Sequence, residues 1–233
     1  MFEKSSLGEQ VAEALKNEIL SGRLAPKQRI DIGRYASDWN VSSTPMRDAV
    51  KQLEAAGLVE VSPRRGVYVS EIDRQELREI FELRTALESL AIRSATARMP
   101  EAEAERALSL YRSAEEASDE QDRERILRDI DALIHDLAVE YCGNRRLIEL
   151  IENLRALINW SRSTLISHLE RPYAEALPEH IEIAEALCAR DGERAAAAMR
   201  THLENSYNRI ATVLDGRAVA HTDEGITGAD QQG

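Results

Sequence analysis

Residues 31 to 69, DIGRYASDWNVSSTPMRDAVKQLEAAGLVEVSPRRGVYV, constrain the fold more tightly than any other stretch of this chain. Ile32, Tyr35, Ala36 and Trp39 recur at helical spacing and predict a short helix with one apolar face. Asn40 stands where the chain must turn, and asparagine is among the few residues that accept a left-handed backbone. Ser42 or Ser43 can cap a second helix, with Pro45 in its first turn, where a missing donor costs little. Met46, Ala49, Val50 and Leu53 make the inner face of that helix, which runs to about Ala56 before Gly57 stops it. Residues 58–61 and 67–69 then predict two strands around Ser62-Pro63-Arg64-Arg65-Gly66. The sum is a winged helix-turn-helix with a small β-wing.

With the apolar face turned inward, Ser42, Ser43, Thr44, Arg47, Asp48 and Lys51 lie on or near the outer side, crowded at the helix start. The N-terminal end of such a helix is the part that reaches base edges in the major groove. Hydroxyls there can bond bases or phosphates, the helix start attracts phosphate, and an arginine can bridge guanine with two bonds. Arg64 and Arg65 at the wing tip suit phosphates or the minor groove. A merely solvated face would not need the hydroxyl cluster, the arginine and the basic wing in this order. Double-stranded DNA is the expected partner.

The net charge of −12 runs against that expectation until it is divided. Residues 1 to 70 hold ten Lys and Arg against nine Asp and Glu, which leaves twenty against thirty-three in the remainder. Screening confines the reach of the acidic part to about 10 Å at moderate salt. At 233 residues the chain suits two domains, and with only 4% aromatic residues their cores should be Leu, Ile, Val and Ala. No run is apolar and long enough to span a membrane, and MFEKSSLGEQ lacks a signal peptide's apolar region. Cys142 and Cys188 lack Cys-x-x-Cys spacing, so free thiols and a cytoplasmic location are expected.

The remaining chain is helical in pattern. Leu7, Val11, Leu15, Ile19 and Leu20 predict a first helix, followed by a basic loop over residues 23–29. Beyond Val69 the spacing predicts helices over 73–98, 100–118, 122–141, 144–169, 173–190 and 192–214, divided by Pro, Gly, Asn and Asp signals. The class is therefore mainly α: a DNA-reading domain over 1–70, an all-α antiparallel bundle over 71–215, and a polar, flexible tail over 216–233.

Asp131 and His135 stand four apart on one predicted helix and so share a face, while His180 and His202 belong to the next-to-last and last helices of the bundle. Four possible ligands from three helices is how metal sites inside bundles are built. Oxygen with imidazole nitrogen suits a divalent ion such as zinc, nickel, manganese or iron and does not decide among them. A lone histidine in a helix is more often a core or surface residue, so the pattern needs support from elsewhere.

That support is a resemblance. Residues of about 7 to 70 resemble the N-terminal domain of the GntR family of bacterial regulators, through VSSTPMRDAV, LEAAGLVE and PRRGVYV. Thr44, Arg47 and the Arg65-Gly66 wing tip match family DNA contacts. Ser43 replaces the family's usual arginine, and Ile32-Gly33 its usual Glu-Arg pair, with Arg34 displaced by one position. The operator is therefore expected to differ from the family's common one. Residues of about 73 to 214 resemble the FCD effector domain, whose metal-binding members carry the order matched here by DALIH, PEHIEIAEAL and MRTHLENS. The resemblance implies Asp131, His135, His180 and His202 as ligands. It also implies that Arg84, in FELRTALE, faces an effector cavity, where a guanidinium can hold a carboxylate with two bonds. A surface pair with Glu88 one turn on is the plainer role for Arg84. Asn159 and Arg162 are further candidates for the cavity wall.

The resemblance implies a homodimer on an inverted-repeat operator, repressing until a small organic acid binds. The alternative from another class is a metal-dependent hydrolase or oxygenase built on the Asp and His set. Against it, no further base is placed near those ligands in the sequence, and the DNA-reading head would be idle. An architectural DNA binder whose bundle only dimerises is a third reading, and four ligands in the family's order argue against it.

Overall fold

The computed structural model describes residues 6–165 and 173–226, and they form two compact units. The first holds the chain up to Asp73 together with Asn153–Thr164, and the second holds the remainder.

In the first unit, Ser6 opens α1 (Leu7–Leu20) with a reciprocal cap: its hydroxyl accepts from Glu9 N while Glu9 accepts from Ser6 N. Val11, Leu15 and Ile19 are buried against α3 (Ser43–Ala55), whose own buried face is Met46, Ala49, Val50 and Leu53 as the spacing predicts. The two helices approach closely at Gly8, where an added Cβ would lie 3.2 Å from that of Asp48. Between them, α2 (Ile32–Asp38) is capped by Asp31 and ends at Asn40 with φ of 52°. Asn40 N–H bonds Ser37 O and Val41 N–H bonds Ala36 O, the paired closure that a left-handed residue allows at a helix end. Gly57, at φ of 72°, closes α3 in the same way.

The sheet holds one strand more than the sequence pattern shows. β2 (Val59–Ser62) and β3 (Gly66–Val69) form the wing hairpin, and β1 (Arg29–Ile30) pairs antiparallel on the other edge of β3. Two residues are too short for alternation to register, and the basic loop expected over 23–29 hides the first of them.

In the second unit, α4 (Arg74–Thr96) packs on α7 (Leu133–Tyr141) and α10 (Gly192–Ile226), while α9 (Leu177–Cys188) packs on α10 and α5 (Glu101–Glu116). α6 (Glu120–Ile130) continues from α5, and α8 (Arg145–Leu165) begins in this unit, while its residues 153–164 group with the first. Arg190, at φ of 57° between α9 and α10, donates to the carbonyls of Thr96 and Met99 and so closes the end of α4.

Two expectations need correction. The helix predicted over 122–141 is two helices, α6 and α7, separated at Asp131-Ala132, so Asp131 does not share a helix with His135. The tail expected from residue 216 is helical as far as Ile226, because α10 continues through it; residues 227–233 lie outside the described residues. Residues 153–164 of α8 group by proximity with the first unit, where Leu157 lies 3.0 Å from the Cβ that Gly57 lacks.

Candidate functional site

The first unit exposes hydroxyls and cations along the start of α3 and at the wing. Ser42 is the residue ahead of α3 but makes no side-chain cap bond, and Ser42, Ser43, Thr44, Arg47 and Lys51 are all exposed along its outer face. Arg64 and Arg65 are exposed at the wing tip, where Arg64 has φ of 66° and Gly66 φ of 121°. Arg47, Lys51, Arg64 and Arg65 make no ion pair with a described residue. Arg34 is exposed but held to Asp38 at 3.4 Å. The sequence reading missed Arg29: its Nε would lie 3.0 Å from a Cβ on Gly66, so a third arginine lies against the wing. Its place depends on the short strand β1.

The second unit gathers His135 from α7, His180 from α9 and His202 from α10, with one nitrogen from each lying within 4.8 Å of the others. The His180 and His202 ring centroids are 4.5 Å apart, and those of His135 and His202 5.3 Å. Each of two histidines faces a carboxylate through Nδ1, the buried Glu88 for His135 and the partly buried Glu179 for His202. His135 Nδ1 is 2.5 Å from Glu88 Oε2, and His202 Nδ1 is 2.7 Å from Glu179 Oε2. Glu179 is gripped by Arg209 through both oxygens and by Asn205, and Glu88 accepts from Arg84 Nε at 2.8 Å. Burial opposes the charge on Glu179, yet the hydrogen bonds of His202, Arg209 and Asn205 outweigh it and draw the carboxyl down to about 2. Burial likewise opposes the charge on Glu88, and Arg84 and His135 hold it below the usual carboxylate range all the same. His202 is pushed down to about 4 by burial, against the pull of Glu179, which leaves a neutral imidazole.

These features fit a bound metal ion. With Nδ1 of His135 and His202 engaged by carboxylates, their Nε2 atoms remain for a ligand, and carboxylate–histidine pairs of this kind orient metal ligands. Nitrogens held about 2.1 Å from one ion at tetrahedral angles stand about 3.4 Å apart, so from a spread of 4.8 Å the set would have to close by about 1.4 Å at its widest. Tyr111, fully buried beneath His180 with ring centroids 5.1 Å apart, donates its hydroxyl to Ile130 O at the end of α6. Asp131 closes α6 as its C-cap and is outside the histidine set.

Arg84 is buried and paired with Glu88, so the pair weighed as a plainer, surface alternative lies in the interior beside His135. Its guanidinium also lies 4.9 Å over the Phe81 ring. A groove of about 780 Å³ along α4 and α10 is lined by Phe81, Ser89, Leu203 and Tyr207, without Arg84. Asn159 is exposed and belongs to the first unit; Arg162 has its backbone in α8 and its side chain outside the described residues. Neither Glu88 as a partner of His135 nor Glu179 as a partner of His202 was legible as such, because those pairs are 47 and 23 residues apart.

Residues 7–69 match the model of bacterial regulatory proteins of the gntR family, and residues 79–205 match the FCD domain model. The chain is 31% identical to the HTH-type transcriptional repressor GlaR of Escherichia coli over 212 residues, covering 87% of this chain and 94% of that protein. It is 28% identical to the HTH-type transcriptional repressor RspR of E. coli, covering 89% and 90%. Among solved structures, a GntR regulator from Rhodococcus superposes with a TM-score of 0.70 at 21% identity, covering 87% of this chain and 96% of that one, and so shares the fold.

Proposed function

Because the chain belongs to the gntR family of bacterial regulatory proteins and carries an FCD domain, we propose that it is a metal-dependent sensor that represses transcription until a small carboxylate metabolite binds. That it is a DNA-binding transcription regulator and not an enzyme follows from the family. The metal, the effector, repression and the dimer are our reading.

One observation carries the reading: three histidines from three helices converge within 4.8 Å, and two of them are held from behind by carboxylates. As mere packing such an arrangement would be a poor choice, since burying polar groups without a ligand costs free energy that an apolar core avoids. His135, His180 and His202 would hold a divalent ion, zinc first, and the ion would supply a Lewis-acidic site for an oxygen of the effector. Asp131, next to the start of α7, is the carboxylate able to complete the set. Arg84, one hydrogen bond from Glu88, would anchor a carboxylate of the same effector. Two chains would then set two α3 helices on an inverted repeat, with the effector favouring the arrangement that lets go of DNA by its differential affinity for the two.

The test is a gel-shift titration on a duplex from the region upstream of the protein's own gene, with and without a chelator, followed by the same titration across a panel of organic acids. A shift that one acid reverses, only while metal is present, is the expected result. Lack of any shift at low salt would refute DNA reading at that site, and a reversal indifferent to chelator would refute the role of the metal.

A further inference from the structure

Two carboxylates stand behind the histidines, and they are held in different ways. Glu179 is fully committed: Arg209 donates to both oxygens at 2.8 and 3.0 Å, Asn205 adds a bond at 2.8 Å, and His202 takes Oε2. Glu88 is divided between two partners of different kinds. Its Oε1 accepts from Arg84 Nε at 2.8 Å, and its Oε2 lies 2.5 Å from His135 Nδ1. Arg84 and Glu88 are each only 4% exposed, so water does little to screen the competition for that carboxylate.

We propose that Glu88 links occupancy of the histidine site to anion binding at Arg84, an inference that rests on reading those residues as a metal site and an effector anchor. When His135 Nε2 donates its lone pair to a dication, its Nδ1–H becomes the stronger donor, and Glu88 is drawn toward it and loosens on Arg84. Arg84 then meets an incoming carboxylate as a less fully neutralised guanidinium. In reverse, an anion that takes Arg84 leaves Glu88 to His135 alone and makes that imidazole the better ligand. The two binding events favour each other by the same factor in both directions. Glu88 is thus a positioning residue with a second, regulatory duty, while Glu179 only positions.

Zinc dissociation constants of the full-length chain, read by competition with a fluorescent chelator, test this without knowledge of the effector. Glu88→Gln is expected to weaken zinc about 10- to 100-fold, as loss of an orienting carboxylate does. Arg84→Met, which frees Glu88 for His135 as an anion would, is expected to tighten zinc about fivefold or more. In the double variant that gain disappears, whereas in Glu179→Gln combined with Arg84→Met it persists. Arg84→Lys keeps the charge and is expected to restore an affinity near the wild type. Should Arg84→Met fail to fold by circular dichroism, Arg84→Gln takes its place in the cycle. An equal gain from Arg84→Met with and without Glu88 would show simple repulsion of the dication and overturn the proposal, as would an unchanged affinity in Glu88→Gln. Wild-type protein that takes up no zinc, or His202→Ala that binds it as tightly as the wild type, would remove the metal reading itself and this inference with it.

Discussion

Arg47 sits one turn into α3, exposed and with no ion pair to a described residue, which is where a side chain must be to reach a base edge. If it bridges a guanine, Arg47→Ala costs about 1–3 kcal/mol on the operator and relaxes preference at one base pair. Arg65→Ala at the wing tip should instead weaken every duplex alike and lower the slope of log affinity against log salt by about one. Binding titrations at several salt concentrations separate the two, and matching behaviour of both variants would contradict the division of roles. In the second unit, His180→Ala or His202→Ala is expected to abolish stoichiometric zinc uptake, because each supplies one of three nitrogens within 4.8 Å. Asp131→Asn is expected to keep one ion per chain at reduced affinity, since Asp131 stands outside that set. Elemental analysis after dialysis decides both; an Asp131 variant without metal would mean that the carboxylate, not the third imidazole, is indispensable.

At the level of the element, the turn between α2 and α3 holds the reading helix to its support. Its closure needs a left-handed residue at position 40, where φ is 52°. Asn40→Gly should therefore leave stability within about half a kcal/mol, while Asn40→Val should cost roughly 1–2 kcal/mol, read as a shift in urea midpoint at unchanged slope. Equal midpoints for both variants would mean that the turn tolerates a right-handed backbone. The α6–α7 break is the contrasting case. DALIH continues an unbroken helical pattern in the sequence, and Asp131 and Ala132 keep near-helical dihedrals, yet the helix divides there. Tyr111, from α5, takes the Ile130 carbonyl at the break, a partner 19 residues away that no local pattern reveals.

For the molecule as a whole, charge and symmetry govern how the DNA-reading part can act. A head near neutrality on a chain of −12 relies on a patch formed by Arg29, Arg47, Lys51, Arg64 and Arg65, so affinity should fall steeply with salt. If two chains share one operator, a duplex with a single half-site should bind about 100-fold or more less tightly than the inverted repeat, through loss of the linked second contact. Equal affinity for the two duplexes would contradict the dimer. Saturating zinc should also raise the melting temperature, by the equivalent of about 2.7 kcal/mol at a free concentration 100 times the dissociation constant. A melting curve indifferent to zinc and to chelator would leave the histidine cluster without an ion to hold.

Periodicity and turn chemistry are local, so the chain alone determined the winged head, the buried face Met46, Ala49, Val50 and Leu53, and the left-handed stop at Asn40. It also singled out His135, His180 and His202, because their order along the helices matched a family pattern. What a single strand of letters could not contain were contacts set by packing between distant segments. The carboxylates behind two histidines, the burial of the Arg84–Glu88 pair, the two-residue strand that brings Arg29 to the wing, and the grouping of residues 153–164 with the head all belong there. A hydrogen bond across 47 residues leaves no period in the sequence, and only the closed chain decides which groups burial forces together.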